Sequence, residues 1–476
     1  MRASLATFFL VVRLAVVFLV AVFFFLAGFC SFSIASAASA SARRALRLTT
    51  LRAMGGSAFL CGGARKLPSI TAERGLRQAC PPPILLEKTG DSMPEAPCEP
   101  AAAGPLAQYR ALEDAVLSAR IEAVRARMGE RLVILGHHYQ QDGVISHADI
   151  TGDSYQLSVN AAAREACEAI VFCGVHFMAE TADILVNRPE KVAARDGRRV
   201  TVVLPDMAAG CSMADMAAIE QVEDAWADMG EVIDTSEITP VTYINSAASL
   251  KAFCGRHGGI VCTSSNARAV LEWAFAQRRR VLFFPDQHLG RNTARAMGIP
   301  LEEMCVWNPL AAAAGAEFGG GSREQLEKSR VILWQGHCSV HAMFRPEHVD
   351  AVREAMPGVQ VLVHPECSME VVDKADLAGS TSYIIKQVEA APAGTSWAIG
   401  TEMHLVKRLE QQHPEQTIRF LSPVICMCAT MYRIDLAHLC WSLEHLEAGS
   451  PVNVIEVDAE TAAWSTTALE RMLAVS

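Results

Sequence analysis

The sequence predicts an α/β protein: three similar α/β domains with mainly parallel sheets, set around a pseudo-threefold axis and a central active-site cleft. Three observations predict it. From about residue 106, short β-branched apolar runs alternate with amphipathic stretches. The runs fall into three successive sets, and each set repeats the same polar signature at the ends of its runs.

The runs are "RLVILG" (131–136), "AIVFCG" (169–174), "VTVVLP" (200–205), "PVTYIN" (240–245), "GIVCTS" (259–264), "RVLFFP" (280–285), "RVILWQG" (330–336), "VQVLVHP" (359–365), "SWAIGT" (396–401) and "TIRFLSP" (417–423). They lack alternation and stop at Gly, Pro or polar residues, as strands buried on both faces do. Helical stretches such as "QLSVNAAAREA" and "NARAVLEWAFAQ" separate them. Strands alternating with helices make parallel sheets. The sets divide the body into domains at 106–215, 216–340 and 341–476.

The first strand of each set ends in polar residues two apart: His137 and Tyr139, Tyr243 and Asn245, His364 and Glu366. In extended chain such pairs point the same way, so each can face a crevice beyond the strand's C-terminal end, where open α/β sheets place ligands. One pair is explained by a solvated strand end; three matching pairs favour a shared cavity. A second feature recurs, small hydroxyl residues at a helix start: Ser154 in "GDS", Thr263, Ser264 and Ser265 in "TSSN", and Ser380, Thr381 and Ser382 in "GSTS". Each is a candidate N-cap. Free N–H groups at helix starts also bind phosphate and carboxylate.

The third feature is a cysteine after the last strand of each set: Cys211 in "LPDMAAGCSMAD", Cys338 in "WQGHCSVH", and Cys428, two residues after Cys426, in "SPVICMCATM". Three units packed around one axis would bring one thiolate from each to the centre. Three thiolates leave one position of a tetrahedral or cubane metal site open, as a catalytic metal requires. Most of the fifteen cysteines need no such account, because single buried thiols are common.

Charge is divided unevenly. Residues 1–80 carry ten Lys/Arg and one Asp/Glu, the remainder 32 and 51. The acidic body has no footprint for nucleic acid, and any anion it binds must be held by local donors. Residues 1–40, with early arginines and an apolar run from Leu14 to Phe29, read as a signal-like or anchor segment. Residues 41–105 read as a disordered leader. The competing reading is a chain written from too early a start, with a later methionine such as Met93 as its beginning.

With these residues in hand, the chain from about 106 to 475 resembles quinolinate synthase, the iron–sulfur enzyme of de novo NAD biosynthesis. The resemblance rests on "GHHYQ", "GDS", "VFCGVHFMAETA", "LPDMAAGCSMAD", "TYINSAA", "CTSSNA", "PDQHLGRNT", "WQGHCSVH", "VLVHPEC", "GSTS" and "CATMYRIDLAHLCWSLEHL" in the family order. It implies a [4Fe–4S] cluster on Cys211, Cys338 and Cys428, the last chosen because the family's final ligand stands three residues before a methionine, here Met431. Cys426 is then an additional thiol. The implied reaction condenses iminoaspartate with dihydroxyacetone phosphate to quinolinate, phosphate and water, with a functional link to L-aspartate oxidase. Glu366 is the implied acid/base, with His137, Tyr139 and His364 orienting or exchanging protons. Tyr243, Asn245, Ser154, Ser264, His341 and Thr381 are the implied substrate contacts. The family is cytoplasmic, so membrane contact is expected only through the N-terminal segment. Two other classes compete. A secreted α/β solute-binding protein for a small anion explains the leader but not the cysteines; a zinc hydrolase explains the cysteines but not the three hydroxyl-rich helix starts.

Overall fold

The computed structural model describes residues 106–475, apart from Glu165 and Cys426. The signal-like segment 1–40, the leader 41–105 and the extra thiol of Cys426 therefore lie outside the described residues.

Three sheets account for the strands. The first holds β1 (Leu132–His137), β2 (Ile150–Gly152), β3 (Ala169–Cys173) and β4 (Thr201–Val203). The second holds β5 (Ile238–Tyr243), β6 (Ile260–Cys262), β7 (Arg280–Phe284), β8 (Met304–Trp307) and β9 (Val331–Trp334). The third holds β10 (Gln360–Val363), β11 (Leu377–Ala378), β12 (Ser396–Gly400) and β13 (Thr417–Phe420). The neighbour orders are β2-β1-β3-β4, β6-β5-β7-β9 and β11-β10-β12-β13, with β8 outside β9. All these pairs are parallel. In each sheet the second strand flanks the first on one side and the third flanks it on the other. The winding direction thus reverses beside the first strand, and that is where a crevice opens at the strands' C-terminal ends.

All ten predicted runs form strands. The reading missed β2, β8, β11 and β14 (Val454–Ile455). Each is two to four residues long, lies at a sheet edge and is partly exposed. A strand paired on one side and wetted on one face carries no continuous apolar run, so its signal is weak. β1, β3, β5, β7 and β9 are buried along their whole length.

The end of the chain leaves the third sheet. Helix Leu436–Glu447 lies against helix Asp114–Met128 of the first unit, with Arg120–Glu444 and Arg127–Glu447 ion pairs at 2.6 Å. β14 then pairs antiparallel with β4. Helix Ala459–Val475 packs along helix Ala248–Arg256 of the second unit, where Ser465 Oγ donates to the Ala248 carbonyl at 2.9 Å. The two helices approach so closely that a Cβ on Gly255 would lie 2.0 Å from the Trp464 carbonyl oxygen, so glycine is required there. Among the described residues no helix is long and apolar enough to cross a membrane.

Candidate active site

The first strand of each unit ends at one common cavity. Its walls include His137 and Tyr139 at the end of β1, Tyr243 and Asn245 at the end of β5, and His364 and Glu366 just beyond β10. The second strand of each unit leads into a helix, Ser154–Ala162, Ala267–Gln277 or Thr381–Ala390, and Ser154, Ser264 and Thr381 at or before these starts also line the cavity. The capping explanation holds for one of the three. Ser380 caps its helix through Tyr383 N–H, whereas Asp153 caps the helix that begins at Ser154 and Asn266 occupies the cap position after Ser264. Ser154 Oγ lies 3.5 Å from Asn245 Oδ1, linking the first unit to the second.

His137 and His364 share a local design. Each Nδ1 accepts the backbone N–H two residues on, from Tyr139 at 3.1 Å and from Glu366 at 3.3 Å. Nδ1 is therefore unprotonated, and a neutral ring carries its hydrogen on Nε2. Burial favours that neutral form in both, holding His137 and His364 down to about 3. Burial opposes ionisation of Glu366, but the adjoining His364 and His341 rings and the Tyr243 hydroxyl outweigh it and hold its carboxyl below the usual range. His341 Nδ1 stands 2.8 Å from Glu366 Oε2 without the alignment of a hydrogen bond. The His341 ring stacks on His364 at 4.5 Å. A hydroxyl chain continues behind it: His341 Nε2 to Thr401 Oγ1 at 3.2 Å, and the Tyr139 hydroxyl to Thr401 and Thr381 at 3.0 Å each.

The three cysteines follow the last of the predicted strands in their units, β4, β9 and β13, and all three line the same cavity. Their settings repeat. The carbonyls of Cys211, Cys338 and Cys428 accept N–H groups four residues on, from Asp215, Ala342 and Tyr432, at 3.0, 2.9 and 3.0 Å. Each sulfur also receives a backbone N–H three residues on, from Ala214, His341 and Met431. Burial pushes all three thiols up, Cys211 to about 12. Three thiolates here would need a cationic centre, and the inward amides are suited to sulfurs that carry charge. The donor set therefore fits a metal centre with three thiolate ligands. The other described cysteines do not line the cavity, and Cys173, Cys254, Cys262, Cys367 and Cys440 are core residues.

Comparison with known proteins identifies the family. The profile of the family described as "Quinolinate synthetase A protein" matches residues 119–474. The chain belongs to that family. A quinolinate synthase of Rhodopirellula baltica is 70% identical over 371 residues, 78% of this chain and 94% of its own length. Those of a Nocardioides species and Corynebacterium glutamicum are 55% and 52% identical, covering 76% and 77% of this chain and 90% of theirs. This synthase-family chain is thus an enzyme, and the solute-binding alternative finds no support.

Within the synthase fold the cavity gathers the candidate catalytic, substrate-contact and cluster-ligand residues His137, Tyr139, Ser154, Cys211, Tyr243, Asn245, Ser264, Cys338, His341, His364, Glu366, Thr381 and Cys428, whereas Ser382 of "GSTS" does not line it. Sequence reasoning missed Thr401, which joins Tyr139 to His341, and Asn292. Both sit inside quoted segments, "SWAIGT" and "PDQHLGRNT", but their partners are more than forty residues away. Asn292 Nδ2 donates to the carbonyls of Pro365 and Cys367, 2.9 Å each, clamping both sides of Glu366. Asn292→Ala is expected to lower turnover by up to about 10²-fold, as small misplacements of a reacting group do, while iron content stays unchanged. Steady-state kinetics beside iron analysis would check this; unaltered turnover would mean that Asn292 does not position Glu366.

Proposed function

We propose that the chain condenses iminoaspartate with dihydroxyacetone phosphate, releasing phosphate and two waters and forming quinolinate. The observation that carries this reading is the meeting of three thiols and three polar strand ends, one of each per unit, at one cavity. Cys211, Cys338 and Cys428 would hold a [4Fe–4S] cluster. When bound, such a cluster supplies a Lewis acid that can polarise a substrate oxygen or carboxylate.

The chain's own groups have separable tasks. Both substrates are anionic, and the cavity answers with neutral donors. Helix starts at Ser154 and Thr381 present free N–H groups and hydroxyls to carboxylate or phosphate. The Nε2–H groups of His137 and His364 can donate to a carbonyl or leaving oxygen. Glu366, held as a carboxylate, is the base that takes a proton from carbon and returns it to oxygen during enolisation and dehydration. Tyr243, hydrogen-bonded to Glu366 and Ser264, orients that carboxylate. Asn245 lies beside Ser154 and would fix the substrate between the first and second units. Burial excludes water, which suits a reactive imine.

The supply of iminoaspartate must come from an amino-acid oxidation, the role expected of L-aspartate oxidase. The direct test is to purify the full chain without oxygen, record its spectrum and assay quinolinate from the two substrates by chromatography. Brown protein that forms quinolinate is the expected result. A colourless protein of equal activity would overturn the cluster assignment, and a brown protein forming no quinolinate would overturn the substrates.

A further inference from the structure

One contact in the cavity pairs a buried imidazole closely with a buried carboxylate. His341 is 1% exposed, and its Nδ1 lies 2.8 Å from a carboxylate oxygen of Glu366, out of line for a well-formed hydrogen bond. The other ring nitrogen is engaged by Thr401 at 3.2 Å. Nδ1 and the carboxylate oxygen thus face one another at close range, and a cation can take the place of a proton between them. A third donor is at hand: ligand atoms of Cys338, His341 and Glu366 all lie within 4.8 Å of one another.

We infer that the metal-free protein binds one borderline divalent cation of the zinc class between Cys338 Sγ, His341 Nδ1 and the Glu366 carboxylate. Thiolate, imidazole and carboxylate are the donors such an ion takes, with N and O at ~2.0–2.2 Å and S at ~2.3 Å in a tetrahedron. The ligand set brackets the spans this requires, from the 2.8 Å pair to the 4.8 Å limit. Cys338 and His341 come from one turn after β9, and Glu366 from the segment after β10. All three face the cavity, so the fourth position is open to water or a carboxylate ligand. The site has outer-sphere support of the usual kind: Thr401 holds the far nitrogen of His341, and Tyr243 bonds Glu366. Binding replaces the thiol proton of Cys338 by the metal ion and releases that proton to solvent. Cys211 and Cys428 take no part.

The consequence is competition. An ion at this position occupies one of the three cysteines assigned to the cluster together with the proposed base, so it would block cluster insertion and catalysis at once. This competition rests on the proposed function; the ion site does not.

The test uses the full chain freed of metal by a chelator under argon and titrated with Co²⁺. Expected is one Co²⁺ per chain, with a near-ultraviolet thiolate-to-metal band of single-thiolate intensity. Cys338→Ser should abolish the band. Glu366→Gln and His341→Gln should weaken binding by more than the roughly 10- to 100-fold that loss of an outer-sphere partner costs. Cys211→Ser and Cys428→Ser should leave band and affinity intact. A band that needs Cys211 and Cys428 but ignores Glu366 would overturn the proposal and put the ion on the three thiols. A wild-type chain that binds no Co²⁺ would overturn it too. A second measurement needs no variant: Zn²⁺ should protect Cys338 from iodoacetamide, read by mass spectrometry, while Cys211 and Cys428 stay reactive. Equal protection of all three, or of none, would count against the site whether or not the chain makes quinolinate.

Discussion

Cys428→Ser is expected to yield a folded, colourless protein without measurable quinolinate formation, whereas Cys426→Ser keeps colour, iron and most activity. Cys428 shares its setting with Cys211 and Cys338: a carbonyl bonded four residues on and a sulfur approached by the amide three residues on. A serine hydroxyl in that setting is a poor ligand for iron, and one missing thiolate in three leaves the cluster two anchors. The protein should nonetheless fold, since Cys428 is only partly buried and its turn is held independently by Glu402, whose carboxylate accepts the Cys428 N–H at 3.4 Å. For Cys426 the expectation comes from the threefold repeat, which supplies one cysteine per unit. Iron and sulfide per chain, with the visible spectrum after anaerobic purification, would check both. Reversed outcomes would mean the ligand register is off by two residues; loss in both would make Cys426 a supporting group.

Glu366→Gln is expected to retain the cluster and lose most of the turnover. The substitution keeps volume and removes the charge, and general acid–base catalysis typically contributes ~10²–10⁴-fold. Glu366 is the carboxylate that His341, His364 and Tyr243 surround, and its backbone is gripped on both sides by Asn292. Rapid-quench or steady-state rates with the spectrum recorded in parallel separate a lost base from a lost cluster. Turnover near the wild-type value would transfer the proton-moving role to His137 or His364.

The strands at sheet centres were legible because burial on both faces leaves a continuous apolar run. The edge strands β2, β8, β11 and β14 were not, because half their surface faces water and their runs are short. The site was legible for a related reason: strand ends and helix starts are local features, so His137, Tyr243, His364 and the cysteines could be compared across the three sets without knowing their distances. Contacts made between units left no local trace. Asn292 reads as one polar residue of an amphipathic helix, and only the fold brings it to the carbonyls around Glu366. Thr401 likewise reads as a strand's polar stop. The return of residues 436–475 to the first two units was also invisible, since their helical pattern names no partner.

That return has a consequence for how the protein is made. The chain leaves the ribosome from its N-terminus, so β1–β4 are complete long before residues 454–455 exist. Until then β4 keeps an unpaired edge, and helix Asp114–Met128 lacks its cover of Leu436–Glu447. Exposed edges and apolar faces in partly made chains invite wrong pairings. A chain cut short after Asp435 would contain all three cysteines assigned to the cluster, yet two of its three units would stay unfinished. Synthesis of residues 436–475 is thus the event that closes the first sheet and completes the second core, and until then those surfaces stay bare.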